Sequence, residues 1–397
     1  MVRLRAPVAT ATGITGRSSP LAPHLEERWR HQMSRFTRTV RSTADLARQG
    51  KFDLLFAAVS LLLFAIAVVV SVVYRARTLG SPFFDWQFYS AAVGRWLAGE
   101  PIYPGATIST LGTPAGGSYA YPPASVPLLL PFSPYPLGAV LWVLTLCVVL
   151  LLGLWFVVRT GWPKRPLVPF AIGALGLIVF APVQQGLGVA NVNILTAGML
   201  GIVWGARRSP VVPLALLTVL KAFPLALAAP LGIRAVATCA AVAAGIVVAT
   251  LPLVGVGAWA DYASGLTSSQ PLCDDPYWFN PSLACVTQPL LGSEAAKWFG
   301  VLVAAACFLI ALRAGRTLLG MAAATFAVIA PATEVHEHYL AMFYMLGCIA
   351  VASRQAARTS TAVADSGDPR SLPGATRPPL GITHASDLGQ DHRSGVS

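Results

Sequence analysis

Between Tyr74 and Glu100 the only acidic side chain is Asp85, in the run Phe83-Phe84-Asp85-Trp86-Gln87-Phe88-Tyr89 that follows the first long apolar stretch. A carboxylate at a lipid–water boundary loses hydration, so its pKa rises and it can accept a proton near neutral pH. Asp is also a favoured helix N-cap. Asp85 therefore reads as a general base, as the cap of a helix beginning at Trp86, or as both. A second cluster is Glu334-Val335-His336-Glu337-His338-Tyr339. His336 and His338 can contact a lipid phosphate or a sugar hydroxyl, or the group can be a solvated loop. Their His-x-His spacing does not put both rings on one helix face and no third ligand cluster accompanies them, which argues against a metal site.

Lys221, in Leu220-Lys221-Ala222-Phe223-Pro224, interrupts an apolar stretch. A lysine there is costly and usually functional. It contacts a phosphate, lines a cavity, or snorkels to the membrane surface. Gln184, Gln185, Asn191 and Asn193 surround Gly186 and Gly188; their amides can bond sugar hydroxyls or cap a helix. In the loop 257–296, Asp274-Asp275 and Tyr277-Trp278-Phe279-Asn280 offer polar and aromatic groups suited to a sugar ring, enclosed by Cys273 and Cys285. Outside the cytoplasm those two cysteines are expected to form a disulfide. Asp274-Asp275 is not the Asp-x-Asp of nucleotide-sugar enzymes, and there is no Gly-rich phosphate loop. Chemistry driven by ATP or nucleotide sugars is not expected, and neither is a cofactor.

The elements that must position these groups are membrane helices. The 397 residues are 55% apolar and 11% charged, with a mean hydropathy of +0.64; a soluble domain carries about 25% charge. Apolar runs long enough to cross a hydrocarbon core of about 30 Å recur from Phe52 to Ser353. No alternating strand pattern indicates a barrel. Spans are predicted over 53–74, 137–158, 167–183, 190–206, 235–256, 297–312, 317–334 and 339–353. The fold class is thus an all-α polytopic membrane protein, with about eight full spans and a broken hairpin, or 8–11 membrane helices. The proline-rich stretch between Tyr121 and Pro136 forbids a continuous helix. Cys147, Cys239, Cys307 and Cys348 lie within apolar runs and read as packing residues.

The net charge of +12 follows topology. Arg and Lys collect in residues 1–51 and in the short connections at Arg159/Lys164/Arg165, Arg207/Arg208, Arg234, Arg313/Arg316 and Arg354/Arg358, as the positive-inside rule requires. No nucleic-acid partner is expected. The segment 209–233 has basic residues at both ends and the Lys221–Pro224 break between them. As one ordinary span it would put its basic ends on opposite faces; as a hairpin of two short helices it keeps both inside. Broken helices at membrane depth line protein cavities, so the hairpin also predicts a cavity. With it, Asp85, the Gln184–Asn193 turn, the loop 257–296 and the His336–His338 segment all fall on the outer face. Residues 1–51 form a cytoplasmic tail, either a basic surface helix over 24–48 or disordered, and residues 354–397 form a disordered cytoplasmic tail. The first apolar run is long enough to remain as an anchor, so no cleaved signal peptide is expected. The chain is placed in the plasma membrane.

Read together, Asp85-xxx-Tyr89-x-Ala91-Ala92, Leu97-x-Gly99-x-Pro101-Ile102-Tyr103, Tyr121-Pro122-Pro123 and Pro131 resemble the first outer loop of glycosyltransferase family 87. Asn191-x-Asn193-Ile194-Leu195 with Leu220-Lys221-x-Phe223-Pro224, Asn280-Pro281-Ser282-Leu283, and His336-x-His338-Tyr339 are similar to its later motifs. The resemblance spans residues 53–353, within a transmembrane domain of 52–353. Val189-Ala190 stands where the family has a Gly-Gln pair, and Glu337 separates histidines that are often adjacent. The resemblance implies a GT-C-like helical bundle of actinobacterial type that moves a sugar from a polyprenyl-phosphate donor to a glycolipid or lipoglycan acceptor. It implies decaprenyl-phosphate mannose as donor, an inverting α-(1→2) transfer on the outer side of the membrane, and Asp85 as base. Tyr89, Tyr121, Asn191, Asn193, Lys221, Asn280, His336 and His338 would bind substrate. The same family resemblance admits an arabinofuranosyl donor. Two other classes compete: a flippase of lipid-linked sugars, and a scaffold without catalysis. Against the flippase, no inverted repeat is visible and the polar groups gather at one face.

Overall fold

The computed structural model describes residues 22–79, 82–104, 119–268, 273, 280, 282–332 and 335–365, with side chains from Gln49 to Thr361. The described residues are helical, without strands. Thirteen α-helices run in order: α1 Ala22–Thr78, α2 Phe84–Leu97, α3 Ser125–Leu129, α4 Leu137–Gly161, α5 Leu167–Val179, α6 Ala181–Gly188, α7 Asn193–Gly205, α8 Val211–Leu220, α9 Ile233–Ser268, α10 Leu283–Leu291, α11 Ser293–Ala314, α12 Leu318–Ile329 and α13 Ala341–Asp365. Short 3-10 helices cover Leu130–Phe132, Phe223–Leu231 and Glu337–Leu340. The backbone of residues 22–48 is helical and continuous with the first span. The aromatic patch at 274–279, Glu334, and the tail beyond Asp365 lie outside the described residues.

At the centre stands α7, whose residues from Asn193 to Val203 are all buried. It can lie so deep because α4 approaches it backbone to backbone: a Cβ on Gly153 would sit 2.2 Å from the Gly198 carbonyl oxygen. Small residues at such a crossing replace the hydrophobic driving force that lipid does not supply. The helices α12 and α13 and the 3-10 turn Phe223–Leu231 complete the ring around α7. The outward faces of α1, α4, α9 and α11 expose Leu, Val, Ile and Phe, as a lipid-facing surface must.

Among the described residues, five helices are long and apolar enough to cross a membrane: Gln49–Thr78, Leu137–Gly161, Ile233–Leu266, Ser293–Ala314 and Glu337–Thr361. The bent pair α5–α6 makes a sixth if counted as one span. Several spans expected as full-length are therefore shorter or broken. The run 167–183 bends by 73°, because Phe180 is extended and Pro182 opens a new helix. The run 190–206 is reduced to the 13 residues of α7, and 317–334 to the 12 of α12, which closes at Ala330 just before Pro331. At 1.5 Å per residue, α7 is about 20 Å long, short of a bilayer core of about 30 Å.

The basic connections gather at one end of the bundle. Arg165 Nη1 donates to Gln49 Oε1 at 3.1 Å, Gly161 touches Ala352, and Gly205 abuts the Phe156 carbonyl. Arg316 Nη1 donates to the Ala206 carbonyl at 2.8 Å, while Pro230 lies against Gly315. Those last two contacts bring both ends of the segment 209–233 to the same turn, so the segment doubles back. The helix α8 stops at Lys221, whose backbone is extended, and Pro224 starts the return as a 3-10 helix. The hairpin runs beside α7 with Lys221 at its tip.

Candidate active site

The end of the bundle opposite the basic turns holds the polar side chains. Three chain segments build it. The first is α2. Phe83 precedes it with a left-handed backbone (φ 55°) and makes no side-chain cap, so Asp85 lies inside the first helical turn. The capping role expected for Asp85 is thereby corrected: the helix starts two residues earlier than the sequence suggests, at Phe84. The carboxylate faces inward instead and accepts a short hydrogen bond from Asn191 Nδ2, and its own N–H donates to the Val189 carbonyl at 2.9 Å. Burial pushes the Asp85 carboxyl up to about 6, with the Asn191 amide and the positive charge of Lys221 pulling the other way. That value suits a base working near neutrality.

The second segment is the turn from α6 into α7. Ala190 adopts φ 63°, and Trp142 on α4 donates from Nε1 to its carbonyl at 2.9 Å. This turn presents Asn191, whose Oδ1 accepts from the Asn193 N–H at 2.8 Å. The Asn191 side chain is therefore engaged on both sides, with Asp85 and with the start of α7. Asn193 is 1% exposed; its Oδ1 accepts from Lys221 Nζ at 2.8 Å, and its Nδ2 has no partner among the described residues. A buried donor in that position costs about 1–3 kcal/mol unless something accepts from it.

The third segment is 335–340. Tyr339, which in the sequence stands out only as part of the His336-x-His338-Tyr339 motif, receives a hydrogen bond from Lys221 Nζ at 2.6 Å. Lys221 also lies 4.3 Å from the Tyr339 ring centroid and 5.9 Å from that of Tyr121. It does not snorkel to the basic end. Among the described residues it makes no ion pair, and two of the three ammonium donors are engaged. His338 is buried at 5% exposure, so it is no solvated-loop residue; its ring stacks on Tyr339 and lies 5.4 Å from that of His336. Gly186 on α6 makes room for this segment by lying against His338. Glu337 is exposed and His336 half-buried.

Tyr89 and Tyr121 line the same region, their hydroxyls 2.9 Å apart, and Tyr89 Oη accepts from the Val192 N–H at 3.4 Å. Burial holds both phenols well above the ordinary tyrosine range, so they stay neutral donors. Asn280 is buried. Its Oδ1 accepts from Ser282 N at 3.1 Å and from Val335 N at 3.0 Å. Cys273 and Cys285 form a disulfide with Cα atoms 5.1 Å apart. The structure thus brings Asp85, Tyr89, Tyr121, Asn191, Asn193, Lys221 and His338 to one end of the bundle, with Asn280 behind the 335–340 segment.

Chemically, the site holds a poised carboxylate and an uncompensated cation, linked through two asparagines. Such a pair can take a proton from one reactant and receive an anion from the other. The model of glycosyltransferase family 87 matches residues 119–353. No curated protein and no solved structure matches the chain. The matched stretch holds Tyr121, both asparagines, Lys221, Asn280 and both histidines, and it begins beyond Asp85 and Tyr89. With its multi-pass helical bundle and the family match running through the centre of that bundle, the chain is a membrane glycosyltransferase and belongs to glycosyltransferase family 87.

Proposed function

We propose that the chain transfers a sugar, in the first instance mannose, from a polyprenyl-phosphate donor to a hydroxyl of a glycolipid or lipoglycan, with inversion and in α-(1→2) linkage. The observation that carries this reading is the pairing of Asp85, raised to about 6 by burial, with Lys221, which makes no ion pair among the described residues and bonds Asn193 and Tyr339 instead. In the reaction, an Asp85 carboxylate oxygen takes the proton of the acceptor hydroxyl. The freed oxygen attacks the anomeric carbon as the bond from that carbon to the phosphate oxygen breaks. The electron pair leaves with the polyprenyl phosphate, and the charge that grows there is offset by Lys221 and by the open Nδ2 donor of Asn193. Phosphate is already a good leaving group, so one carboxylate suffices where glycosidases use two. Asn191 fixes the orientation of the base. Tyr89, Tyr121, His336 and His338 surround the reacting groups.

The basic turns at the opposite end favour an orientation with the site on the outer side of the plasma membrane. There a lipid-linked donor is the available activated sugar. Arabinofuranose from its own polyprenyl phosphate is the nearest alternative, since phosphate recognition would be the same. A flippase or a scaffold needs no base, and the family match favours transfer over both.

Membranes containing the chain, given radiolabelled decaprenyl-phosphate mannose or decaprenyl-phosphate arabinose with lipid extracts as acceptors, test the reading. Label entering a larger glycolipid from the mannose donor supports it, and label from arabinose alone moves the assignment to the pentose. Transfer from neither donor, with the protein present and folded, overturns it in favour of transport or scaffolding.

A further inference from the structure

The segment 335–340 brings Tyr339 to Lys221 and buries His338, yet it is only a short 3-10 turn entered through an extended His336. Few backbone hydrogen bonds of its own hold it. Its first described residue, Val335, is buried, and the Val335 N–H is received by a side chain 55 residues earlier in the chain, Asn280 Oδ1, at 3.0 Å. The same oxygen accepts from Ser282 N at 3.1 Å, the arrangement by which an asparagine fixes its own turn. Ser282 then caps α10, its Oγ accepting from Cys285 N at 3.2 Å, and Cys285 is disulfide-bonded to Cys273. Gly300 of α11 lies against the Ala330 carbonyl at the end of α12, and α10 packs on α11.

We propose that Asn280 is a positioning residue: through Val335 it holds the 335–340 turn in the register that places Tyr339 against Lys221. The proposal rests on the glycosyltransferase reading of the site. The effect of Asn280 passes through the Val335 N–H into the backbone of residues 335–339, and the start of α10, held through Cys285 to Cys273, is the fixed point from which it acts. A displacement of the order of 1 Å at a positioning contact can cost about 10²-fold in rate, so the contact is large enough to read.

Two variants separate positioning from general stability. Asn280→Ala removes the acceptor, and Asn280→Asp keeps an oxygen for both N–H groups. Hydrogen exchange of the peptide spanning residues 335–340, in purified full-length protein in detergent, reads the latch without any transfer assay. Faster exchange in Asn280→Ala than in the wild type, with Asn280→Asp close to the wild type, is expected. In transfer assays kcat is expected to fall about ten- to a hundred-fold in Asn280→Ala with KM for the lipid donor changed little, and to recover in Asn280→Asp. Combining Asn280→Ala with Tyr339→Phe is expected to cost less than the product of the separate losses, because both act on one contact. Unchanged exchange at 335–340 in a folded Asn280→Ala protein would overturn the proposal whatever the protein's activity, and so would fully multiplicative losses in the double variant. If the wild type transfers no sugar while the exchange result holds, the latch stands and the transferase reading falls.

Discussion

Asp85 and Lys221 carry the two charges of the site, and the molecule holds them by opposite means. Asp85 sits in the first turn of α2, where helix N-terminal dipoles favour a negative charge, yet burial wins and its pKa rises to about 6. One amide, Asn191, bonds it. Lys221 sits where a helix has been broken, and two oxygens from distant segments, Asn193 Oδ1 and Tyr339 Oη, converge on it. The carboxylate is kept ready to change its protonation state; the ammonium is held by two oxygens with a donor to spare. Asn191 and Asn193 stand between the two groups, bonded to each other through the Asn193 N–H, so that the charges communicate without forming a salt bridge. A direct pair would have left neither free for a reactant.

The contrast can be broken from either side. Asp85→Asn removes the base while keeping the shape and an acceptor for Asn191. We expect kcat to fall by about 10²–10⁴, the usual worth of a positioned base, with the protein present and folded at wild-type levels by size-exclusion chromatography. Lys221→Met keeps the length and removes the charge. Here the expected loss is about 10²–10³ in kcat/KM, and competition by free polyprenyl phosphate should weaken in parallel; unaltered competition would remove Lys221 from the phosphate.

A sharper test of the link between the halves is Asn191→Ala. The Asn191 hydrogen bond favours the ionised carboxylate, so its loss raises the Asp85 pKa further. The base must be deprotonated to act, so the acid limb of kcat/KM is expected to move to higher pH in this variant. A limb that stays in place would show that Asn191 acts elsewhere. The smallest effect is expected for Tyr89→Phe, which removes a neutral hydroxyl and its two contacts, with Tyr121 and with the Val192 N–H, each worth about 0.5–1.5 kcal/mol, and should lower kcat a few-fold.

How far the sequence reveals this arrangement differs between the halves. The broken hairpin is legible, because Arg207/Arg208 and Arg234 flank one apolar segment interrupted at Lys221-Ala222-Phe223-Pro224, and charge placement favours a return over a single span. The lysine is conspicuous for the same reason. Its partners are not: Asn193 and Tyr339 lie 28 and 118 residues away, and no periodicity links them. Asp85 is conspicuous as a lone acid, but its start-of-helix geometry depends on a left-handed Phe83, which no local preference announces. That is why a capping role reads naturally from the sequence and fails in the structure. The span lengths fail for a related reason. Hydropathy sees the apolar run 167–183 as continuous, while the bend at Phe180 is set by Pro182 and brings Gly186 against His338. The bent helix is anchored on α1, the Gln184 carbonyl accepting from Ser71 Oγ at 2.6 Å. Short, bent helices are the ones that carry the site, and a pattern that counts apolar residues misses them.

The central claim, that Asp85 is the base of a sugar transfer, is tested most directly by the pH dependence of kcat/KM for the wild type beside the residual activity of Asp85→Asn. The account predicts a wild-type profile that rises through pH about 6 to a plateau, matching the raised carboxyl, and no such limb in the variant. A wild-type profile flat from about pH 5 to 8, or a limb near 6 that survives in Asp85→Asn, would contradict it.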